Sequence, residues 1–423
     1  MRILLVGASG FIGRRLLEAL RSAGHQVVAT ARRPRADAFP DVEWRALDLA
    51  RLSEDSTHFP WPAGVELVIN AAGILGSDAA ELARVQDSGA RCLFDLAAAH
   101  CARVLQFSAL GAGEQPDIPF LASKAAADAY LLGLGIPAVV LRPSLVLGEG
   151  GASSGWFSRL SPWPLIPLLD TRARVQPLHV DDLVGAVLAL LRCWPEQPMV
   201  LPLVGPEPMT QPQLIDRLRA AQGWGPARYL RVPAALAAIG ARVGALLGWR
   251  ALNPQTVRLA RRDNLASAES LEQACGFRAA SLTDRLHGWP NPLVSVTAAL
   301  RPLLLASLVL VWLGTALVCL GPGYGWGLRL MGEAGVSGWL ASLAVIGGAL
   351  LDGLLGVGLL LPRWRRWALR GQLALMLGYM LLISLLLPHY WFDPYGAVLK
   401  NLVLMVATLW LLWTESAGEK IRR

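Results

Sequence analysis

"LLVGASGFIGRRLLEAL", residues 4–20, sets an apolar run before three glycines, Gly7, Gly10 and Gly13, and an amphipathic stretch after them. A buried strand, a glycine turn and a helix in this order bind the diphosphate of a dinucleotide. The first glycine permits the tight turn, and the second lets the backbone approach the pyrophosphate. The third lets helix and strand pack closely, and the free N–H groups of the helix N-terminus face the anion. Ser9, Phe11 and Ile12, lying between the glycines, join the expected cofactor-binding set.

Outward from this turn the same alternation continues. Short apolar runs such as "QVVATA", "ELVINAAG", "RVLQFSA" and "AVVLRPS" are separated by helical stretches, the pattern of a parallel sheet buried on both faces. Residues 1–191 are therefore expected to form an α/β Rossmann-type, doubly wound core. Residues 192–292, rich in Pro and Ala, are expected to form a small α+β lobe for the substrate, in which Thr210 and Gln213 have the spacing of a capping box. The second strand runs into "RRPRAD". An acidic residue there would hold a ribose 2′-hydroxyl, whereas Arg32 and Arg33 suit a 2′-phosphate, which favours NADP(H) over NAD(H). The opening "MRILLVGASG" reads as a first strand and not as a signal peptide.

Beyond Pro292 the chain changes character. Four apolar stretches, Ala298–Leu320, Val336–Leu361, Leu369–Leu387 and Ala397–Trp413, each approach the ~20 residues that cross a bilayer. Residues 293–423 should thus be an all-α transmembrane four-helix bundle, in keeping with a hydrophobic content of 54%. Basic residues crowd "RWRRWALR" and "EKIRR", which places both termini and the Rossmann core in the cytoplasm, at a bacterial inner membrane. Trp326, Trp339, Trp364, Trp367, Tyr390, Trp391 and Trp413 lie near the helix ends, where interfacial aromatics sit. The formal charge of +8 is carried by arginine, since Lys124, Lys400 and Lys420 are the only lysines. With no aromatic-basic groove it points to anionic lipid and not to nucleic acid. The 5 widely spaced cysteines suggest free thiols and no metal site.

On these motifs the chain resembles the extended short-chain dehydrogenase/reductases. Their G-x-x-G-x-x-G is Gly7, Gly10 and Gly13, and their adenine-side pair is Asp48 and Leu49 in "WRALDLA". Their N-A-A-G is Asn70, Ala71, Ala72 and Gly73; "LRPSLVLGEGG", which holds Pro143, and "LHVDDL" resemble the segments after the active site. The details resemble best an atypical branch that includes the dehydrogenase-like accessory subunit of respiratory complex I. The C-terminal part resembles the DoxX-like family in "WFDPYGAVLKNLVLMVATLWLLW", through Asp393, Pro394, Gly396, Lys400 and Asn401.

The resemblance implies a catalytic set of Ser108, which polarises the substrate oxygen, and Lys124, which holds the nicotinamide ribose. At the position of the family's tyrosine stands Phe120, which has no proton to give. A general acid is worth about 10²–10⁴ in rate, so the loss is severe. Tyr130, six residues past Lys124, points roughly 120° away on a helix. Glu114 or Asp117 could replace the phenol only if burial raised its pKa. His179, Asp181 and Asp182 resemble a triad fragment but match a structural stretch of the family. Asp352 within the second span is a candidate functional acid, and Lys400 can snorkel to the interface. Two readings follow. One is a membrane-anchored oxidoreductase acting on a hydrophobic carbonyl, quinone or lipid; the other is a nucleotide-binding sensor or scaffold for a membrane protein partner.

Overall fold

A computed structural model of the chain describes residues 1–34, 39–76, 78–233, 235–236, 238–240, 254–394 and 396–422. Arg35 and Asp37 of the "RRPRAD" loop, and Arg423 of the basic tail, lie outside the described residues. The chain divides into two units, Met1–Ser295 and Val296–Arg423.

In the first unit, β1 (Arg2–Val6) runs parallel to β2 (Gln26–Ala31) on one side and to β4 (Leu67–Asn70) on the other. β3 (Glu43–Ala46) extends the sheet beyond β2, while β5 (Arg103–Phe107), β6 (Ala138–Pro143) and the strand Met199–Leu203 extend it beyond β4. The result is a 7-stranded, wholly parallel, doubly wound sheet. The order reverses between β1 and β4, and ligands of such sheets bind in the crevice beyond the strand ends at that point.

The two-residue period of a strand explains why "ILLV" has no polar position. Ile3 and Leu5 enter one apolar layer with Leu16, Leu17 and Leu183; Leu4 and Val6 enter the opposite layer with Leu93, Phe94 and Leu131. Each such side chain contributes roughly 1.5–3 kcal/mol by leaving water.

The lobe interleaves with this sheet. Leu165–Leu168 pairs with Arg228–Arg231, and Arg174–Val175 pairs with Met209–Thr210, around a separate core that includes Leu147, Ile166, Leu214 and Leu218. The helix Gln211–Ala221 starts at the expected capping box. The Thr210 N–H donates to Gln213 Oε1 at 2.8 Å, and the Gln213 N–H donates to Thr210 Oγ1 at 3.4 Å.

Among the described residues 4 helices are long and apolar enough to cross a membrane: Pro292–Leu320, which begins in the last residues of the first unit, Gly338–Leu360, Arg365–Leu386 and the stretch Val398–Glu415 of Ala397–Arg422. The first begins earlier than expected, because Asn291 Oδ1 accepts the N–H groups of Leu293 and Val294 and starts the helix there. A further helix, Tyr324–Glu333, fills what reads in sequence as a glycine-rich connection. Polarity is inverted relative to a water-soluble bundle: Leu310 is 74% exposed and Val403 72%, whereas Trp312, Leu369, Met376 and Leu411 are buried together. Asp352 is buried, with no hydrogen-bond partner at Oδ1 among the described residues, and Lys400 is exposed.

At one end of this bundle Glu415 accepts hydrogen bonds from Arg301 and, at 3.1 Å, from Arg365 Nη1. This carboxylate ties three of the long helices. Removing one member of a largely buried ion pair costs roughly 3–5 kcal/mol. Glu415→Gln is therefore expected to lower the thermal midpoint of the detergent-solubilised protein by several degrees; a midpoint equal to the parent's would show that the cluster does not hold the bundle.

Candidate nucleotide and catalytic site

The glycine turn has the geometry its spacing demands. Gly7 adopts φ +80°, the Gly10 N–H donates to Gly7 O at 2.9 Å, and α1 (Phe11–Ser22) follows with no side chain capping its first turn. A Cβ on Gly13 would lie 2.1 Å from Gly7 O, and one on Gly7 would lie 2.9 Å from Ala72 Cα. The loops after β1 and β4 thus touch at the switch point. Gly10 and Ser9 are exposed at this rim and Ile12 is half-buried; the Phe11 ring packs so that a Cβ on Gly151 would meet it at 3.0 Å. An uncapped helix start behind close-packed glycines fits a diphosphate.

Around the turn, the half-buried Asp48 caps the short helix Leu49–Leu52, with Oδ1 accepting the Ala50 N–H at 3.0 Å, and Leu49 is buried. Arg32 and Arg33 are exposed just past the end of β2. The Asn70 side chain braces the β4 end by donating to Gln106 Oε1 at 2.8 Å and accepting the Ala72 N–H at 3.2 Å. Ala71 and Ala72 are half-buried and Gly73 is exposed, so close to Lys124 that a Cβ on Gly73 would lie 3.6 Å from Nζ. Half-buried Pro143 closes the rim, accepting the Leu110 N–H at 3.0 Å.

Lys124 stands on the helix Pro119–Gly133 and is 4% exposed. Its Nζ donates to Phe107 O at 2.8 Å and to Ala72 O at 3.4 Å, spanning the ends of β4 and β5. Burial lowers its pKa to about 8, against the opposing pull of Asp128. Phe120 is half-buried, one turn earlier on the same helix. Its N–H donates to Gln255 Oε1 at 3.3 Å and its carbonyl accepts Ser123 Oγ at 3.0 Å. Gln86, buried in a single π-helical turn Arg84–Ser88, donates to Ser123 Oγ at 3.4 Å.

Ser108, at the end of β5, donates to Asp128 Oδ2 at 2.6 Å. The same oxygen accepts Arg142 Nη2 at 3.0 Å and Nε at 3.1 Å. Asp128 is 1% exposed and, among the described residues, its Oδ1 has no hydrogen-bond partner. Burial pushes this carboxyl upward, while the bonds from Ser108 and Arg142 pull it back. Sequence reasoning passed over Asp128; its only mark is the "KAAAD" spacing that sets a carboxylate one helical turn beyond Lys124.

The acids considered in its place are corrected by the structure. Glu114 and Asp117 are both exposed, and Asp117 lies 3.7 Å from Arg258, so neither has the burial that a replacement for the phenol requires. Tyr130 donates to Asp95 Oδ1 at 2.7 Å, away from Lys124. His179 caps the helix Val180–Arg192 by accepting the Asp181 N–H at 3.3 Å, and Asp182 pairs with Arg285, a structural arrangement.

Residues 3–198 match the NAD dependent epimerase/dehydratase family and residues 309–409 match the DoxX-like family. The chain thus joins a Rossmann-type domain similar to the epimerase/dehydratase family to a helical domain similar to the DoxX-like family. Among its relatives, it is 29% identical to the ceramide reductase of Caulobacter vibrioides over 196 residues, 45% of this chain and 61% of that protein. It is 25% identical to the mitochondrial NADH dehydrogenase [ubiquinone] 1 alpha subcomplex subunit 9 of Dictyostelium discoideum over 221 residues, 50% of this chain and 61% of that one. The chain spans about three fifths of the length of both relatives. The structure of MoeE5 in complex with UDP-glucuronic acid and NAD superposes with a TM-score of 0.52 at 18% identity, covering 68% of this chain and 96% of that one.

Proposed function

We propose that the protein is a membrane-anchored, NADP(H)-dependent oxidoreductase that reduces the carbonyl of a hydrophobic substrate, a lipid or a quinone. The observation that carries this reading is Lys124. In a chain that otherwise relies on arginine, a lysine is buried at the switch point with its ammonium directed between the β4 and β5 ends. Gly7, Ser9, Gly10, Phe11, Ile12 and Gly13 would hold the diphosphate. Asp48 and Leu49 would line the adenine, Ala71, Ala72, Gly73 and Pro143 the nicotinamide side, and Lys124 the ribose. The bound nicotinamide supplies hydride; Ser108 orients the oxygen that receives it. The ceramide reductase relative supports a lipid-like substrate, and tethering to the bilayer raises the local concentration of such a molecule. In this reading the Rossmann unit and both termini face the cytoplasm of a bacterial inner membrane, and Arg301 and Arg365 at one bundle end agree with that orientation.

The test is NADPH oxidation by the full-length, detergent-solubilised protein, offered decylubiquinone, a long-chain methyl ketone and a 3-keto sphingoid base. Turnover that falls on Ser108→Ala supports the reading; binding without turnover of any of them favours the second one. That second reading, a nucleotide-binding scaffold or sensor for a membrane protein partner, draws support from Phe120 and from the NADH dehydrogenase subunit relative.

Coenzyme choice has its own check. Replacing Arg32 and Arg33 together with serine is expected to weaken NADPH binding roughly 10–100-fold, as loss of charged hydrogen bonds does, and to leave NADH binding unchanged. Equal losses for both coenzymes in a fluorescence titration would show that these arginines do not read the 2′-phosphate.

A further inference from the structure

We infer that Asp128 and Ser108 form a proton relay that replaces the absent tyrosine. The inference rests on the oxidoreductase reading above and assigns its acid.

A serine hydroxyl has one proton. With Asp128 ionised, that proton is committed to Oδ2 at 2.6 Å, and Ser108 can offer a substrate only lone pairs. For Ser108 to donate to a carbonyl oxygen, Asp128 must carry a proton and donate it to Ser108 Oγ. The ionisation of Asp128 therefore sets the direction of the serine hydroxyl. Its surroundings suit a proton donor. Asp128 is 1% exposed, so its proton exchanges through Ser108 and not with bulk water, and among the described residues no donor reaches its Oδ1; the two Arg142 N–H groups on Oδ2 pull the other way, toward the carboxylate. The charged and polar groups facing it are Arg142 from β6, Lys124 one turn back on its own helix and Ser108 from the end of β5.

The step balances. As hydride reaches the carbonyl carbon, the carbonyl oxygen takes the proton of Ser108 Oγ, and Ser108 Oγ takes the proton of Asp128. Asp128 is left as a carboxylate against Arg142 and regains its proton by way of Ser108 before the next cycle. In the oxidative direction every transfer runs backwards: the substrate hydroxyl donates to Ser108, and Ser108 to the Asp128 carboxylate. A phenylalanine at position 120 is then tolerated, because proton transfer reaches the oxygen from the serine side.

The test uses the full-length protein in detergent, with decylubiquinone, the long-chain methyl ketone and the 3-keto sphingoid base as probes in single-turnover oxidation of bound NADPH. Asp128→Asn keeps the shape and an acceptor for Ser108 but cannot pass a proton. The expected result is a rate lower by about 10²–10⁴, the usual worth of a general acid, with the NADPH Kd unchanged. In the Asp128→Asn background, Phe120→Tyr restores much of the lost rate and moves its pH profile, which a purely structural aspartate would not allow. A second readout needs no turnover. The infrared carboxyl stretch lost in Asp128→Asn should be present in the parent near neutral pH and shift in Ser108→Ala. Parent turnover unchanged by Asp128→Asn, or a carboxyl band absent near neutral pH, overturns the relay and leaves the oxidoreductase reading standing. A parent that binds NADPH yet reduces none of the three probes overturns that reading, and the relay with it.

Discussion

Gly13→Ala is expected to weaken NADPH binding more than 100-fold and to lower the thermal midpoint. The added Cβ would sit 2.1 Å from Gly7 O and 2.8 Å from Gly7 C, both backbone atoms that no side-chain rotation can clear. α1 must therefore lift off the turn, and overpacking of this kind typically costs about 1–3 kcal/mol in stability alone. The cost to binding is larger, because the lifted helix carries its N–H groups away from the diphosphate. Gly24→Ala is the control. That residue has positive φ, +81°, and no described atom lies within 4 Å of its Cβ position, so only the backbone penalty of roughly 1–2 kcal/mol applies and binding is untouched. NADPH fluorescence titrations of the two variants would contradict the proposed cradle if both bound like the parent.

Lys124→Met should separate stability from binding. The folded protein holds this ammonium at a pKa of about 8, below the ordinary lysine value, because burial strips its water. Between those two values the unfolded chain binds more protons than the folded one, so this group makes stability rise as pH climbs through the window and imposes a constant penalty below it. A depression of that size corresponds to about 3 kcal/mol. The nucleotide-free variant is expected to be at least as stable as the parent at neutral pH and to lose the alkaline rise. Its NADPH affinity should fall roughly 10–100-fold with loss of the charged contact proposed for the ribose. Thermal melts at neutral and alkaline pH, with and without NADPH, check both halves; an alkaline rise of equal size in the variant would remove Lys124 as its source.

The fold was legible because its determinants are local. "ILLV" has no polar position since both faces of β1 are covered, and Gly10 and Gly13 report close contacts with Gly7 within the same seven residues. Four long apolar stretches likewise announce themselves by length. The departures are local too: Asn291 starts the first span ahead of its apolar run, and "GPGYGWG" conceals the start of the helix Tyr324–Glu333 behind glycines. The candidate site was legible only where a single residue carries the signal. Asp128 reads as a solvated polar position in an alanine-rich helix. It becomes conspicuous once β5 and β6 bring Ser108 and Arg142 against it from 20 and 14 residues away. Glu114 and Asp117 drew attention by nearness in sequence, and the folded loop turns them outward.

The inverted exposure of the long helices, with Leu310 and Val403 outward and Gln372 inward, has a bearing on how this chain tolerates change. One polypeptide obeys two opposite rules for its outer surface. A leucine-to-serine replacement at an outward position is nearly neutral on the first unit and costly on the bundle, and the rule changes near Ser295, where the first unit ends. A complete substitution scan of the gene should therefore show two tolerance maps of opposite polarity, meeting within a few codons of that residue.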